Sequence, residues 1–158
     1  MTDRTRGDLL VSIQLVLLAL LGFVPGGSLW SVDGVVGLAG WALVSLGVVI
    51  LGVSFVNLGS ALTAHPIPLK KASLKTTGLY AVVRHPIYLG LLVLALGLVV
   101  LAASPCHIAF FVALSAVLHV KAGFEERLLR AVYPEYEAYA RRVGRLIPRL
   151  SIFGRGER

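Results

Sequence analysis

At 158 residues, 57% of them hydrophobic and only 15% charged, with a mean hydropathy of +0.85, the chain has the length of one domain but is too apolar for an ordinary soluble one. Its net charge of +7 sits in blocks between long apolar runs, which suits anionic lipid headgroups and excludes nucleic acid as a partner, since no basic surface alternates with aromatics. The single cysteine, Cys106, excludes an internal disulfide and reads as a small apolar filler, and no metal ligand set is expected.

The first uncharged run, Leu9 to Pro25, predicts a membrane span over about 9–27. A cleaved signal peptide is its rival, but the run exceeds the usual hydrophobic core of ~7–15 residues and "GFVPGGS" offers no small-x-small cleavage site. The second run, Gly34 to Leu62, predicts a span over about 34–60; its glycines Gly34, Gly37, Gly40, Gly47, Gly52 and Gly59 point to close helix packing. A polar segment over 62–85 follows, carrying Lys70, Lys71, Lys75 and Arg84. The third run, Ile87 to Ala103, predicts a span over 86–104. The fourth, Pro105 to Val120, spans over 105–123 if it continues through Lys121 with that lysine snorkelling to the interface. Only "SPC" separates runs three and four, so they should form an antiparallel hairpin with Pro105 starting the returning helix. In the tail, 124–158, Pro134 interrupts the helix. Beyond it Tyr136, Tyr139, Ala140 and Val143 share one face, while Arg141, Arg142 and Arg145 fall mostly on the other. This predicts an amphipathic helix able to lie on the membrane with its arginines at lipid phosphates.

Lys and Arg alternate perfectly between loops: present before run one, absent between one and two, present between two and three, absent between three and four, present afterwards. The positive-inside rule then places both termini and the middle loop in the cytoplasm. The expected architecture is an all-α integral membrane protein, a single domain over 1–158 with four transmembrane helices, a C-terminal helical hairpin and an amphipathic cytoplasmic C-terminal helix.

Two cytoplasmic clusters carry candidate chemistry. In "VVRHPIYLG", Pro86 suits the first position of a helix and pushes His85 into an extended conformation. Arg84 and His85 are thereby held at a helix amino end, where free N–H groups and the dipole favour an anion. Tyr88 follows within the first turn, and Gly90 removes a side chain where a ligand can come close. The bland alternative is a membrane stop signal with arginine at the headgroups. In the second cluster, His119, Gly123 and Glu126 share a stripe on a continuing helix, with Gly123 opening room between the other two. Glu125 can pair with Lys121 and Glu126 with Arg130, and the bland alternative is a solvated, salt-bridged helix. A tight hairpin sets the clusters side by side, an anion site facing an acid pair.

"HPIPLKKASLKTTGLYAVVRHPIYLG", followed after a hairpin by "EERLLRAVYPEYEAYARRVGRLIP", resembles the integral-membrane methyltransferases of the isoprenylcysteine carboxyl methyltransferase and phospholipid methyltransferase superfamily, over roughly Thr63 to Pro148. The resemblance implies S-adenosylmethionine as cofactor, in a cytoplasm-facing pocket at the membrane edge. It implies cofactor contacts at His85 and Tyr88, with Gly90 beside them, and at Glu125 and Glu126, and further contacts at Tyr136, Tyr139 and Arg142. For such a transfer, Arg84 is a candidate to hold an acceptor carboxylate bidentately, and His119 or Glu126 a candidate base for an amine or thiol acceptor. Of the two acids, Glu126 carries more weight through its stripe with His119. The acceptor is expected to be lipophilic and to enter from the bilayer. The short four-helix form looks bacterial, placing the protein in a bacterial inner membrane, where prenylated protein substrates are not expected. The competing functions are a sterol-reductase-like enzyme using a nicotinamide dinucleotide and a non-enzymatic membrane scaffold.

Overall fold

A computed structural model describes residues 2–59 and 74–149. Lys70 and Lys71 of the polar loop, and the tail from 150 on, lie outside the described residues. The described residues form five α-helices: α1 (Asp3–Phe23), α2 (Gly34–Leu58), α3 (Pro86–Ala102), α4 (Pro105–Val132) and α5 (Tyr136–Arg142), with a short 3₁₀ turn over Gly78–Ala81. Among the described residues there is no strand, only an isolated parallel bridge between Val83 and Gly144.

The helix α1 begins at Asp3 rather than near residue 9. Thr2 caps it, its hydroxyl accepting from the Thr5 amide at 3.2 Å, and Asp3 sits where the helix dipole favours an acid. It ends at Phe23 rather than 27, because Val24 precedes a proline and takes an extended conformation. The following loop folds over the end of α3: the Gly27 amide donates to the Ala102 carbonyl at 2.7 Å and the Leu29 amide to Ala103 at 2.8 Å. A Cβ at Gly26 would stand 2.7 Å from the Ala102 oxygen, so this approach requires glycine. Trp30 Nε1 donates to the Val100 carbonyl at 2.9 Å. Asp33, the one charge of this loop, caps α2 by accepting from the Val35 and Val36 amides, each at 3.2 Å.

The helix α2 lies along α3, and α1 along α4. The α2–α3 contact depends on absent side chains. A Cβ at Gly47 would meet Leu94 backbone at 2.5 Å, and one at Gly97 would meet the Val44 amide nitrogen at 2.7 Å. Close packing was expected of the α2 glycines. It holds for Gly40 and Gly47, whereas Gly34 and Gly52 have open space beside them. The core gathers Leu17, Leu21, Tyr88, Ala95, Val99, Leu114, Leu118 and Ala122. The outside remains apolar: Phe23, Val35 and Val56 are 88%, 80% and 81% exposed. Side chains of this kind belong in lipid rather than water.

Among the described residues three helices, α1, α2 and α4, are long and apolar enough to cross a membrane. At 17 residues α3 is shorter, about 26 Å at a rise of about 1.5 Å per residue, against a hydrocarbon core of about 30 Å. Pro105 starts α4 as expected, only Ala103 and Ser104 separating it from α3. The helix continues to Val132, close to Pro134. Lys121 does not snorkel outward. It is buried, and Nζ donates to Gln14 Oε1 on α1 at 2.8 Å. The apolar face expected on α5 is present, but protein covers it: Tyr136, Tyr139, Ala140 and Val143 pack against Leu74, Leu129 and Tyr133.

Candidate active site

The site forms where the chain enters α3, alongside the last turns of α4 and the segment after α5. Pro86 at the first helical position leaves His85 as the N-cap residue, with φ −125° and ψ 65°. The backbone of residues 83–85 is held by the tail. The Arg84 amide donates to the Gly144 carbonyl at 2.8 Å and the His85 amide to the Arg145 carbonyl at 3.1 Å. Tyr139 fixes the preceding turn by donating its hydroxyl to the Tyr80 carbonyl at 2.5 Å.

Glu126, at 0% exposure, is the hub. Its Oε1 accepts from Arg84 Nε at 3.1 Å and Nη2 at 2.9 Å. Arg145 straddles the carboxylate, Nε to Oε1 at 2.9 Å and Nη2 to Oε2 at 2.8 Å. His85 Nε2 approaches Oε1 at 3.3 Å, and Arg130 approaches Oε2 at 3.7 Å. Arg84 is committed on its other side too, Nη1 donating to the carbonyls of Ala140 at 2.7 Å and Val143 at 2.5 Å, which lie at the end of α5. A buried carboxylate needs such partners, since an isolated buried charge is very costly.

Glu125 differs. Its side chain is 19% exposed. It accepts a hydrogen bond from the Tyr88 hydroxyl and lies 3.5 Å from His85 Nδ1. His85 therefore bridges both acids, one ring nitrogen to each, and stacks on Tyr88 with centroids 5.2 Å apart. Burial alone would push the His85 pKa down. Hydrogen bonds and charges from Glu125 and Glu126 outweigh burial and hold it above the usual histidine value. Lys121 sits over the Tyr88 ring, 5.1 Å from its centroid.

The sequence-predicted residues thus divide. Arg84, His85, Tyr88, Glu125 and Glu126 come together. Tyr136 lies beside them, 1% exposed, under Arg130 at 5.6 Å, and its hydroxyl has no partner among the described residues. His119 is exposed on α4, with Nε2 3.4 Å from Arg145 Nη1. The space beside Gly90 is taken by α2, where a Cβ would stand 2.9 Å from Leu51 Cγ. Arg142 is exposed in the last turn of α5 and does not join the bonds to Glu125 or Glu126. Sequence reasoning missed Arg145 as a partner of Glu126, and Gln14 as the partner of Lys121. Gln14 carried a signal, being a lone amide in an apolar run. Nothing marks Arg145 apart from Arg141 and Arg142.

These donors suit a small zwitterionic cation. The partly exposed carboxylate of Glu125 offers negative charge, His85 and the amino end of α3 offer positive charge, and Tyr136 has an unused buried hydroxyl. Glu126 fits such a ligand poorly, since the chain's own arginines already saturate it. Among the described residues no group of three or more His, Cys, Asp or Glu could hold a metal ion.

The sequence pattern of the phospholipid methyltransferase family matches residues 35–136, a stretch that includes both clusters. The nickel-cobalt-cadmium resistance protein NccN of Alcaligenes xylosoxydans xylosoxydans is 34% identical over 146 residues, covering 90% of this chain and 64% of that protein. The cobalt-zinc-cadmium resistance protein CzcN of Cupriavidus metallidurans is 36% identical over 121 residues, covering 73% of this chain and 53% of that protein. Methanethiol S-methyltransferase 2 of Bradyrhizobium diazoefficiens is 40% identical over 79 residues, covering 49% of this chain and 30% of that protein. The chain thus spans less than two thirds of the length of each of these relatives.

Proposed function

The chain belongs to the phospholipid methyltransferase family of integral-membrane methyltransferases, and from that premise we propose that it transfers a methyl group from S-adenosylmethionine to a lipophilic acceptor at the cytoplasmic edge of the membrane. The observation that carries the reading is the pairing of His85 with Glu125 across the start of α3 and the end of α4. It places one positive and one negative group side by side, as the cofactor's carboxylate and its two cationic centres require.

When bound, S-adenosylmethionine supplies an electrophilic methyl group on a sulfonium. Glu125 holds positive charge, with Tyr88 orienting its carboxylate. The raised pKa of His85 favours the protonated ring, which with the amide groups of α3 would hold a carboxylate. Tyr136 offers its hydroxyl as a further donor. Arg84 acts on position rather than on the acceptor, because its nitrogens bind Glu126 and the carbonyls ending α5. Catalysis then rests chiefly on alignment of acceptor and methyl. A carboxylate acceptor needs no base, whereas an amine or thiol must lose a proton, and exposed His119 is the candidate to take it.

The acceptor enters from the bilayer, and an isoprenyl-type carboxylate is one candidate class. The S-methyltransferase relative adds a small thiol to the panel. We further propose four spans in a bacterial inner membrane with both termini and the site cytoplasmic, α3 completing the set; loop-charge alternation supports this. Titrating the purified protein with S-adenosylhomocysteine and with a reduced nicotinamide dinucleotide tests the reading. Binding of the first alone supports it, and binding of the second alone, or of neither, overturns it.

A further inference from the structure

On another side of the molecule, α1 and α4 border a groove of about 430 Å³, open to the outside and lined by Arg6, Leu9, Leu10, Val120, Gly123, Phe124 and Arg127. Leu9 and Val120 are 50% and 58% exposed, so the walls are open as well as apolar. The two arginines stand at the end where the charged part of α1 meets the last turns of α4. Arg127 Nη2 donates to Asp3 Oδ1 at 2.9 Å, which fixes that juxtaposition, and its guanidinium lies over the Phe124 ring at 5.2 Å. A guanidinium carries five N–H donors, so this one bond leaves capacity for a further anion. Gly123 forms an opening in the wall: a Cβ built there meets nothing within 4 Å.

The groove is separate from the candidate active site. Val120, Gly123, Phe124 and Arg127 recur at helical spacing on one side of α4. Glu125 follows Gly123 by two positions, which turns it by about 200° from that wall, whereas Glu126 follows Gly123 by three and stands about 60° from it. The body of α4 therefore stands between the groove and Glu125.

We propose that this groove binds an anionic phospholipid, its phosphate on Arg6 and Arg127 and an acyl chain along Leu9, Leu10 and Val120. The charge complementarity selects the headgroup and the apolar walls select a lipid over a free ion. Such a ligand ties α1 to α4 at the level where the chain's charges begin, and sets a lipid dependence that is independent of the methyl-transfer reading.

The test uses the purified full chain in neutral detergent, with phosphatidylglycerol and phosphatidylcholine of matched acyl chains, followed by native mass spectrometry and thermal unfolding. Phosphatidylglycerol should be retained preferentially and should raise the unfolding temperature. Arg6→Ala and Arg127→Ala should each lower that preference roughly fivefold, Arg6→Lys should restore most of it, and Gly123→Leu should remove lipid while leaving secondary structure intact. Equal retention of the two lipids overturns the proposal. So does undiminished phosphatidylglycerol binding in Gly123→Leu, displacement of the lipid by inorganic phosphate alone, or a change in oligomeric mass in place of lipid loss, which would assign the groove to a second copy of the chain. If Gly123→Leu does not fold, the exposed Arg6 variants decide by themselves.

Discussion

Arg84 and Glu126, separated by 42 residues of sequence, meet at 2.9 Å with the carboxylate wholly buried. The same carboxylate is gripped from its other side by Arg145 at 2.8 Å. The two adjacent acids of α4 therefore have different work, Glu126 in holding three segments together and Glu125 at the more open face.

Substituting the acids separates these tasks. Glu126→Gln leaves the part-buried Arg84 and Arg145 facing a neutral amide, and we expect a loss of about 3 kcal/mol in stability, seen as early thermal unfolding in detergent. Glu125→Gln should unfold close to the parent and bind S-adenosylhomocysteine roughly tenfold more weakly, as loss of about 1.4 kcal/mol at a charge-assisted contact implies. Equal unfolding temperatures for the two variants would contradict this division.

Arg84→Lys tests the reach of the guanidinium. A lysine keeps the charge, but one ammonium lacks the planar fork that reaches Glu126 and the Ala140 and Val143 carbonyls together. The variant should lose stability by about 1–3 kcal/mol, and protease should cut its α5 segment sooner. Parent-like stability with slowed transfer would return Arg84 to the acceptor.

The pH profile should report His85. Its folded pKa lies above the unfolded value of about 6.5. The protonated ring therefore adds stability that is fully present below about pH 6.5 and is lost as pH rises through the folded value. The parent should become less stable from pH 6 to pH 9 by more than His85→Gln does, and its affinity for S-adenosylhomocysteine should fall over the same window. Parallel curves for the two proteins would remove the charged histidine from the account.

Glycine substitutions should separate packed from open helix faces. Gly97→Ala drives a methyl to 2.7 Å from the Val44 nitrogen and 2.8 Å from the Gly40 oxygen, and overpacking of this kind costs about 1–3 kcal/mol. Gly52→Ala meets nothing within 4 Å and should be neutral or stabilising by up to about 1 kcal/mol. Unfolding temperatures of the two variants in one detergent check the contrast.

The apolar runs and the alternating loop charges made the helical membrane architecture legible, because hydrophobic length and basic flanks are properties of the linear chain. The pairing of "RHP" with "EE" was also visible, as was Pro105 as a helix start. What the linear chain did not reveal was which partner each charge takes. Lys121 looked able to reach Glu125 four residues on, yet it turned toward Gln14 on a distant helix. Glu126 looked like the ligand-facing acid, and its neutralisation by Arg84 and Arg145 depends on three segments converging in space. Gly90 looked like room for a ligand and proved to be room for Leu51.

The bridge between Val83 and Gly144 bears on the order in which the protein is made. Synthesis runs from the amino end, so α3 and α4 leave the ribosome before Gly144 and Arg145 do. Until those two arrive, the amides of Arg84 and His85 lack their acceptors and Glu126 lacks its bidentate clamp. A nascent chain halted after α4 thus carries both clusters without the partners that hold them together. The site is thus closed by a short segment downstream of α4 and α5, and a chain ending before Gly144 lacks that closure.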